Sequence, residues 1–215
     1  MKIHWMTALA LVLASCGKSA PRPLPTDPVK LAETCYFASL QHAVKADGKP
    51  RMMTAADILG PISYFAIAAV RAKKGAAATI DDLGDFTNDS AMATLYTSTD
   101  HRDQLPECQR RFPRAAAAAT FPADPAEKAA TCLYIARFAP GIVQGAQVAR
   151  DPVVASADEI RTRIGRDDAA ALAIAKKYAI ASTDDADRLA ARIIYGSVDV
   201  GSLYAILKGC RAAQA

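Results

Sequence analysis

The chain lacks a Gly-rich phosphate loop, a Gly-x-Ser-x-Gly elbow and any Cys/His or His/His pair at metal-ligand spacing. No motif therefore points to nucleotide binding, elbow-type serine hydrolysis or zinc chemistry. An excess of one charge is also missing. The 26 Lys and Arg against 22 Asp and Glu give a formal charge of +4, with the signs mixed along the chain. That balance argues against a nucleic-acid-binding surface. Beyond the first residues no apolar run approaches the ~20 that a membrane-spanning helix needs. Alternating β-branched runs are scarce, which favours helix over strand. Apolar residues make up 52% of the chain, but much of that is alanine, which buries little area per residue.

What is present begins at the N-terminus. Lys2 and His4 open a short polar start, and an apolar stretch follows from Met6 to Ala14. Its length suits a secretory signal and is too short to cross a bilayer. It ends in Leu13-Ala14-Ser15-Cys16-Gly17, which resembles the lipobox of bacterial lipoproteins. The resemblance covers only the first 17 residues. It implies that residues 1–15 are a signal peptide, that cleavage precedes Cys16, and that Cys16 carries the lipid, palmitate included. It further implies a protein on the periplasmic face of the cell envelope, joined to the membrane through lipid. Gly17 stands where an Asp would direct retention in the inner membrane, so the outer membrane is expected. Residues 16–26 include Pro21, Pro23 and Pro25 and read as an extended tether, holding the rest roughly 25–30 Å from the bilayer.

With Cys16 set aside, Cys35, Cys108, Cys132 and Cys210 remain, an even number that reads as disulfides in an oxidising compartment. Four cysteines allow three pairings. An internal repeat chooses among them. Residues 25–35 (PTDPVKLAETC) laid over 122–132 (PADPAEKAATC) agree at six of eleven positions. Thr54 to Ile58 then aligns with Ser156 to Ile160, and Thr79 to Asp82 with Ser182 to Asp185. Each places a hydroxyl three residues before an acid, the capping-box pattern, although Ser156 and Glu159 make the acid Glu rather than Asp. Finally Leu105-Pro106-Glu107-Cys108 aligns with Leu207-Lys208-Gly209-Cys210. The cysteine separations are 73 and 78. Two copies of one unit should each close their own bridge, Cys35–Cys108 and Cys132–Cys210.

The expected fold is all-α, with two tandem homologous disulfide-stapled helical units of about four helices each. Unit 1 spans 27–110, a short helical or semi-rigid linker 111–123, and unit 2 124–215. Asp27-Pro28 and Asp124-Pro125 read as helix starts, Asp as N-cap and Pro at the first helical position. In unit 1 helices are predicted over 28–45, 55–74 and 80–97, with a short element around Cys108. Val29, Ala32, Tyr36, Leu40 and Val44 are expected to share the buried face of the first. Gly60-Pro61 should kink the second, whose buried side carries Ile58, Ile62, Phe65, Ala69 and Val70. In unit 2 helices are predicted over 125–138, 157–180, 184–195 and 200–212, with Pro140-Gly141 ending the first.

No cofactor, metal or catalytic residue is expected. His42 and His101 read as ordinary polar helix residues, and no free thiol remains for nucleophilic chemistry. Asp81, Asp82, Asp85 and Asp89 lack EF-hand spacing and read as an acidic helix start. Arg161, Arg163 and Arg166 are candidates for contact with a partner or with lipid headgroups. Arg110, Arg111 and Arg114 form a second basic cluster near the linker. Tyr36, Tyr64, Phe65, Tyr96, Tyr134 and Tyr178 are expected in the core. The sequence thus points to a non-enzymatic, lipid-anchored envelope protein that binds a protein partner in an inhibitor, immunity or assembly role. The alternative is a carrier of a lipid or apolar small molecule between the two units.

Overall fold

The computed structural model describes residues 22–46, 49–89, 99–144 and 150–212. The lipobox, Cys16 and Tyr96 lie outside them. The chain is all-α apart from a two-residue antiparallel ladder, β1 (Lys45–Ala46) with β2 (Lys49–Pro50).

Helix α1 (Pro28–Val44) starts as expected, with the Asp27 carboxylate accepting from the Lys30 N–H at 2.9 Å. Its burial differs from the expected stripe. Ala32 and Tyr36 are buried, but Val29, Leu40 and Val44 are only half-buried, while Leu31, Thr34, Cys35, Phe37, Ala38 and Gln41 are enclosed. Helix α3 covers one side of α1, and the returning chain at 99–104 covers another. Gln41 holds that returning chain, donating to the Thr99 carbonyl at 2.8 Å and accepting from the His101 N–H at 2.7 Å.

The second helix breaks where Gly60-Pro61 lies. Helix α2 (Ala55–Asp57) opens with a Thr54 capping box and runs into a π-helical turn over Ile58–Ile62, then α3 (Ser63–Lys74). Gly60 leaves helical geometry at φ −82°, ψ −118°. Pro61 has no N–H to give, and the Ser63 hydroxyl donates to the Ile58 carbonyl at 2.6 Å. All five residues expected on the buried side are buried. Ala55–Ala77 is, by length and composition, apolar enough to cross a membrane, contrary to the sequence reading. Yet 67% of its most apolar window is buried, and Leu59, Phe65 and Ile67 are fully enclosed, so here it is the core helix. Helix α4 (Ile80–Asn88) follows a Thr79–Asp82 capping box, and α5 (Leu105–Arg111) carries Cys108.

In the second half, α6 (Pro125–Gln144) runs through Pro140 instead of ending there. Ala136, Ala139 and Val143 remain buried along it, so the helix keeps packing on both sides of an interior proline that costs ~3 kcal/mol. The predicted helix over 157–180 is two helices. Helix α7 (Pro152–Arg166) is capped by Asp151, and α8 (Asp168–Tyr178) by Asp167. Ser156 is therefore not a cap: it lies inside α7, buried, and its hydroxyl donates to the Val153 carbonyl at 2.7 Å. A second Asp-Pro start, Asp151-Pro152, took the place assigned to it. Helix α9 (Thr183–Gly196) begins at the expected Ser182–Asp185 capping box, and α10 (Leu203–Ala212) carries Cys210.

Both bridges form as the repeat required. Cys35–Cys108 ties α1 to α5 and Cys132–Cys210 ties α6 to α10, with Cα separations of 5.5 and 5.7 Å. One buried cluster runs through both halves. The π turn meets α6 and α10, and α3 meets α9 and the turn Ser197–Asp199. Residues 111–123 hold a 3-10 turn over Pro113–Ala115 and then lie against the second half, with the Thr120 N–H donating to the Val200 carbonyl at 2.8 Å.

Candidate functional site

A groove of about 1280 Å³ opens where the two halves face each other. One wall is Arg71 of α3, the turn Gly75–Ala77, and Ala78 to Asp81 at the start of α4. The other is α9 together with Tyr178 at the end of α8. Gly75 makes the first wall, because its φ of 60° and ψ of −135° lie in a region that side chains disfavour. Asp185, Arg188, Leu189, Arg192, Tyr195 and Gly196 repeat at helical spacing on α9, so one face of that helix supplies the second wall.

Hydrogen bonds across the seam hold the walls at a fixed separation. The Tyr195 hydroxyl donates to the Thr79 carbonyl at 2.6 Å, and the Tyr64 hydroxyl to the Val198 carbonyl at 3.2 Å. Arg71 pairs with Asp199 at 2.6 Å. Burial, reinforced by the nearby Asp82 carboxylate, pushes the Tyr195 phenol up to about 12. The Ala181 and Ser182 N–H groups, the Ser182 hydroxyl and Arg188 bond Asp185, which holds its carboxyl down at about 2.

Floor and rim differ in chemistry. Ala78 and Leu189 are buried beneath, with Ile80 and Ala191 half-buried beside them. Around them stand six charged side chains: Arg71, Asp81, Asp185, Asp187, Arg188 and Arg192. Arg71 and Arg188 are ion-paired with Asp199 and Asp185. The Arg192 guanidinium lies 4.9 Å from the Tyr178 ring centroid and makes no ion pair among the described residues. Sequence reasoning did not find this groove, since its walls come from segments a hundred residues apart.

The residues singled out in the sequence are dispersed. Arg161 pairs with Asp158 at 2.7 Å, whereas Arg163 and Arg166 project elsewhere on α7, because at ~100° per residue Arg161 lies roughly 140–160° away from them. The three do not form one patch. Arg110 is engaged by Glu107, and Arg111 and Arg114 are exposed. His42 is exposed near the end of α1. His101 is half-buried, its Nδ1 2.9 Å from Gln104 Oε1 and its ring stacked on Phe37 at 5.8 Å. Asp81 and Asp82 occupy the first turn of α4, and Lys74 pairs with Asp82 at 3.1 Å. Among the described residues no three His, Cys, Asp or Glu lie close enough to share a metal ion. Tyr36, Tyr64, Phe65 and Tyr134 are in the core, and Tyr178 is half-buried at the groove.

No protein-family model, curated protein or solved structure matches the chain.

Proposed function

We propose that this chain is a non-enzymatic, lipid-anchored envelope protein that binds a partner protein through the groove between its halves. The observation that carries the reading is the groove itself, an apolar floor ringed by charge. Its volume exceeds the ~300–1,000 Å³ of ordinary small-molecule sites. It would hold about two turns of a helix, given a helix diameter of ~10–12 Å. The seam hydrogen bonds preorganise the walls, which lowers the ordering cost of association.

The export and anchoring reading rests on the lipobox-like segment, and two disulfides agree with an oxidising compartment. Arg22 bonds Asp103 at 2.9 Å, and Gln104 donates to the Pro23 carbonyl at 3.2 Å. A lipid on Cys16 would then be separated from this held segment by residues 16–21, at most about 20 Å of chain, so the body would sit nearer its membrane than the Pro-rich segment alone implies. A common origin of the halves is supported by the matched caps Asp27 and Asp124, each bonding an N–H three residues on at 2.9 Å. The paired boxes at Thr79 and Ser182 support it too.

The groove is also large enough for a lipid, the second reading. An acyl chain lying there would strip water from unpaired Arg192, Asp81 and Asp187 without replacing it, which disfavours that occupant. The test is occlusion. Ala77→Trp should abolish recovery of a partner from envelope extracts, while Ala171→Trp on exposed α8 should not. Equal recovery by both variants, or co-purification of lipid that only Ala77→Trp removes, would overturn the reading.

A further inference from the structure

The inference below rests on the groove being the docking site and concerns what it selects. We propose that Arg192, seated on the Tyr178 ring, anchors a single acidic side chain of a partner polypeptide segment. The three groove arginines are not equivalent. Arg71 is committed to Asp199 across the seam, and Arg188 to Asp185 within its own helix turn. Arg192 is exposed and has only the aromatic face of Tyr178 beneath it, 4.9 Å to the centroid. A guanidinium on a ring keeps its in-plane N–H donors free for a carboxylate, while the stack removes much of its conformational freedom. A bidentate carboxylate is the group that this planar fork matches best.

The other charges limit the segment. Asp81 on the opposite wall and Asp187 along α9 make no ion pair among the described residues. A strongly acidic segment would meet both and be repelled. One acid opposite Arg192, apolar residues over Ala78 and Leu189, and neutral or basic residues facing Asp81 and Asp187 is the pattern that leaves every charge answered. Arg192 on one wall and Asp81 on the other then read opposite signs, which fixes the direction in which the segment lies.

A photoreactive amino acid at position 77, in the lipid-anchored protein in its native envelope, tests this with the captured peptide sequenced by mass spectrometry. The expected product is a peptide with an acidic residue within one helical turn of the cross-link. Its yield should fall at least tenfold in Arg192→Glu, fall by a smaller factor in Arg192→Lys, which keeps the charge but loses the planar fork, and recover when the partner's acid is changed to Lys in the Arg192→Glu background. A peptide captured equally well by wild type and Arg192→Glu would overturn the anchor and leave the groove reading standing. No polypeptide captured at position 77, with capture only from a probe at 172 on the outer face of α8, would overturn the groove reading itself. Far-ultraviolet circular dichroism of Arg192→Glu guards against loss of fold, and a folded variant with unchanged yield counts against the anchor.

Discussion

In the first half Tyr64, Phe65 and Phe112 meet edge to face at centroid distances of 5.3 to 6.3 Å, and Tyr36 packs in the same way on Phe37 and Phe86. In the second half the largest fully enclosed side chains are aliphatic, among them Ile135, Ile160, Ile194, Leu203, Ile206 and Leu207. The elements that follow the matched capping boxes and carry the second cysteines also differ in length: α4 has nine residues and α5 seven, whereas α9 and α10 have 14 and 10. The first half also accommodates a broken helix: the Ser63 hydroxyl bonds the Ile58 carbonyl, and the π turn packs on α6 and α10.

Removing the bridges breaks this comparison most severely. Replacing both cysteines by Ala in either pair should cost about 4 kcal/mol by chain entropy, and nearly the same in each half because the loops differ by only five residues. Chemical denaturation of the two double variants checks this, and a large inequality would show that one half leans on the other. Next come the aligned positions Gly209 and Glu107. A Cβ at 209 would stand 2.6 Å from the Phe121 ring, so Gly209→Ala should lose about 2 kcal/mol. Glu107→Ala removes only an exposed pair with Arg110 and should leave the melting temperature nearly unchanged. Thermal melts of both sharpen the contrast. Ala179 ends α8 in the left-handed region at φ 51°, ψ 43°, a turn without a counterpart among the described residues of the first half. Ala179→Gly should therefore stabilise by up to ~1 kcal/mol in the same assay.

A further effect, confined to alkaline pH, concerns the seam. Tyr195 is a neutral acid whose folded value lies near 12 against 10.0 when unfolded. Above pH 10 the unfolded chain loses that proton while the folded one keeps it. Its contribution is thus complete below pH 10 and declines as pH rises toward 12. Ultraviolet titration should show a phenol ionising near 12 that Tyr195→Phe removes. A transition near 10 at that residue would mean an open seam.

Much of the fold could be read from local chemistry. Asp27-Pro28, Thr54, Thr79 and Ser182 announce their helices because caps depend on residues three positions apart. The disulfide pairing was legible through the repeat. Ser156 was not, because Asp151-Pro152 offers a stronger start five residues earlier, and no local rule weighs one against the other. Pro140 was read as a stop because its neighbours' burial is a tertiary fact. The groove left no trace in the sequence, as Asp81 and Arg192 come to line one groove only when Tyr195 reaches Thr79.

Intact and peptide mass spectrometry of mature protein, without reduction, measures the covalent frame on which the whole account stands. The expected result is a chain starting at an acylated Cys16, with Cys35 linked to Cys108 and Cys132 to Cys210. An unmodified Met1 terminus together with four unpaired thiols would contradict it.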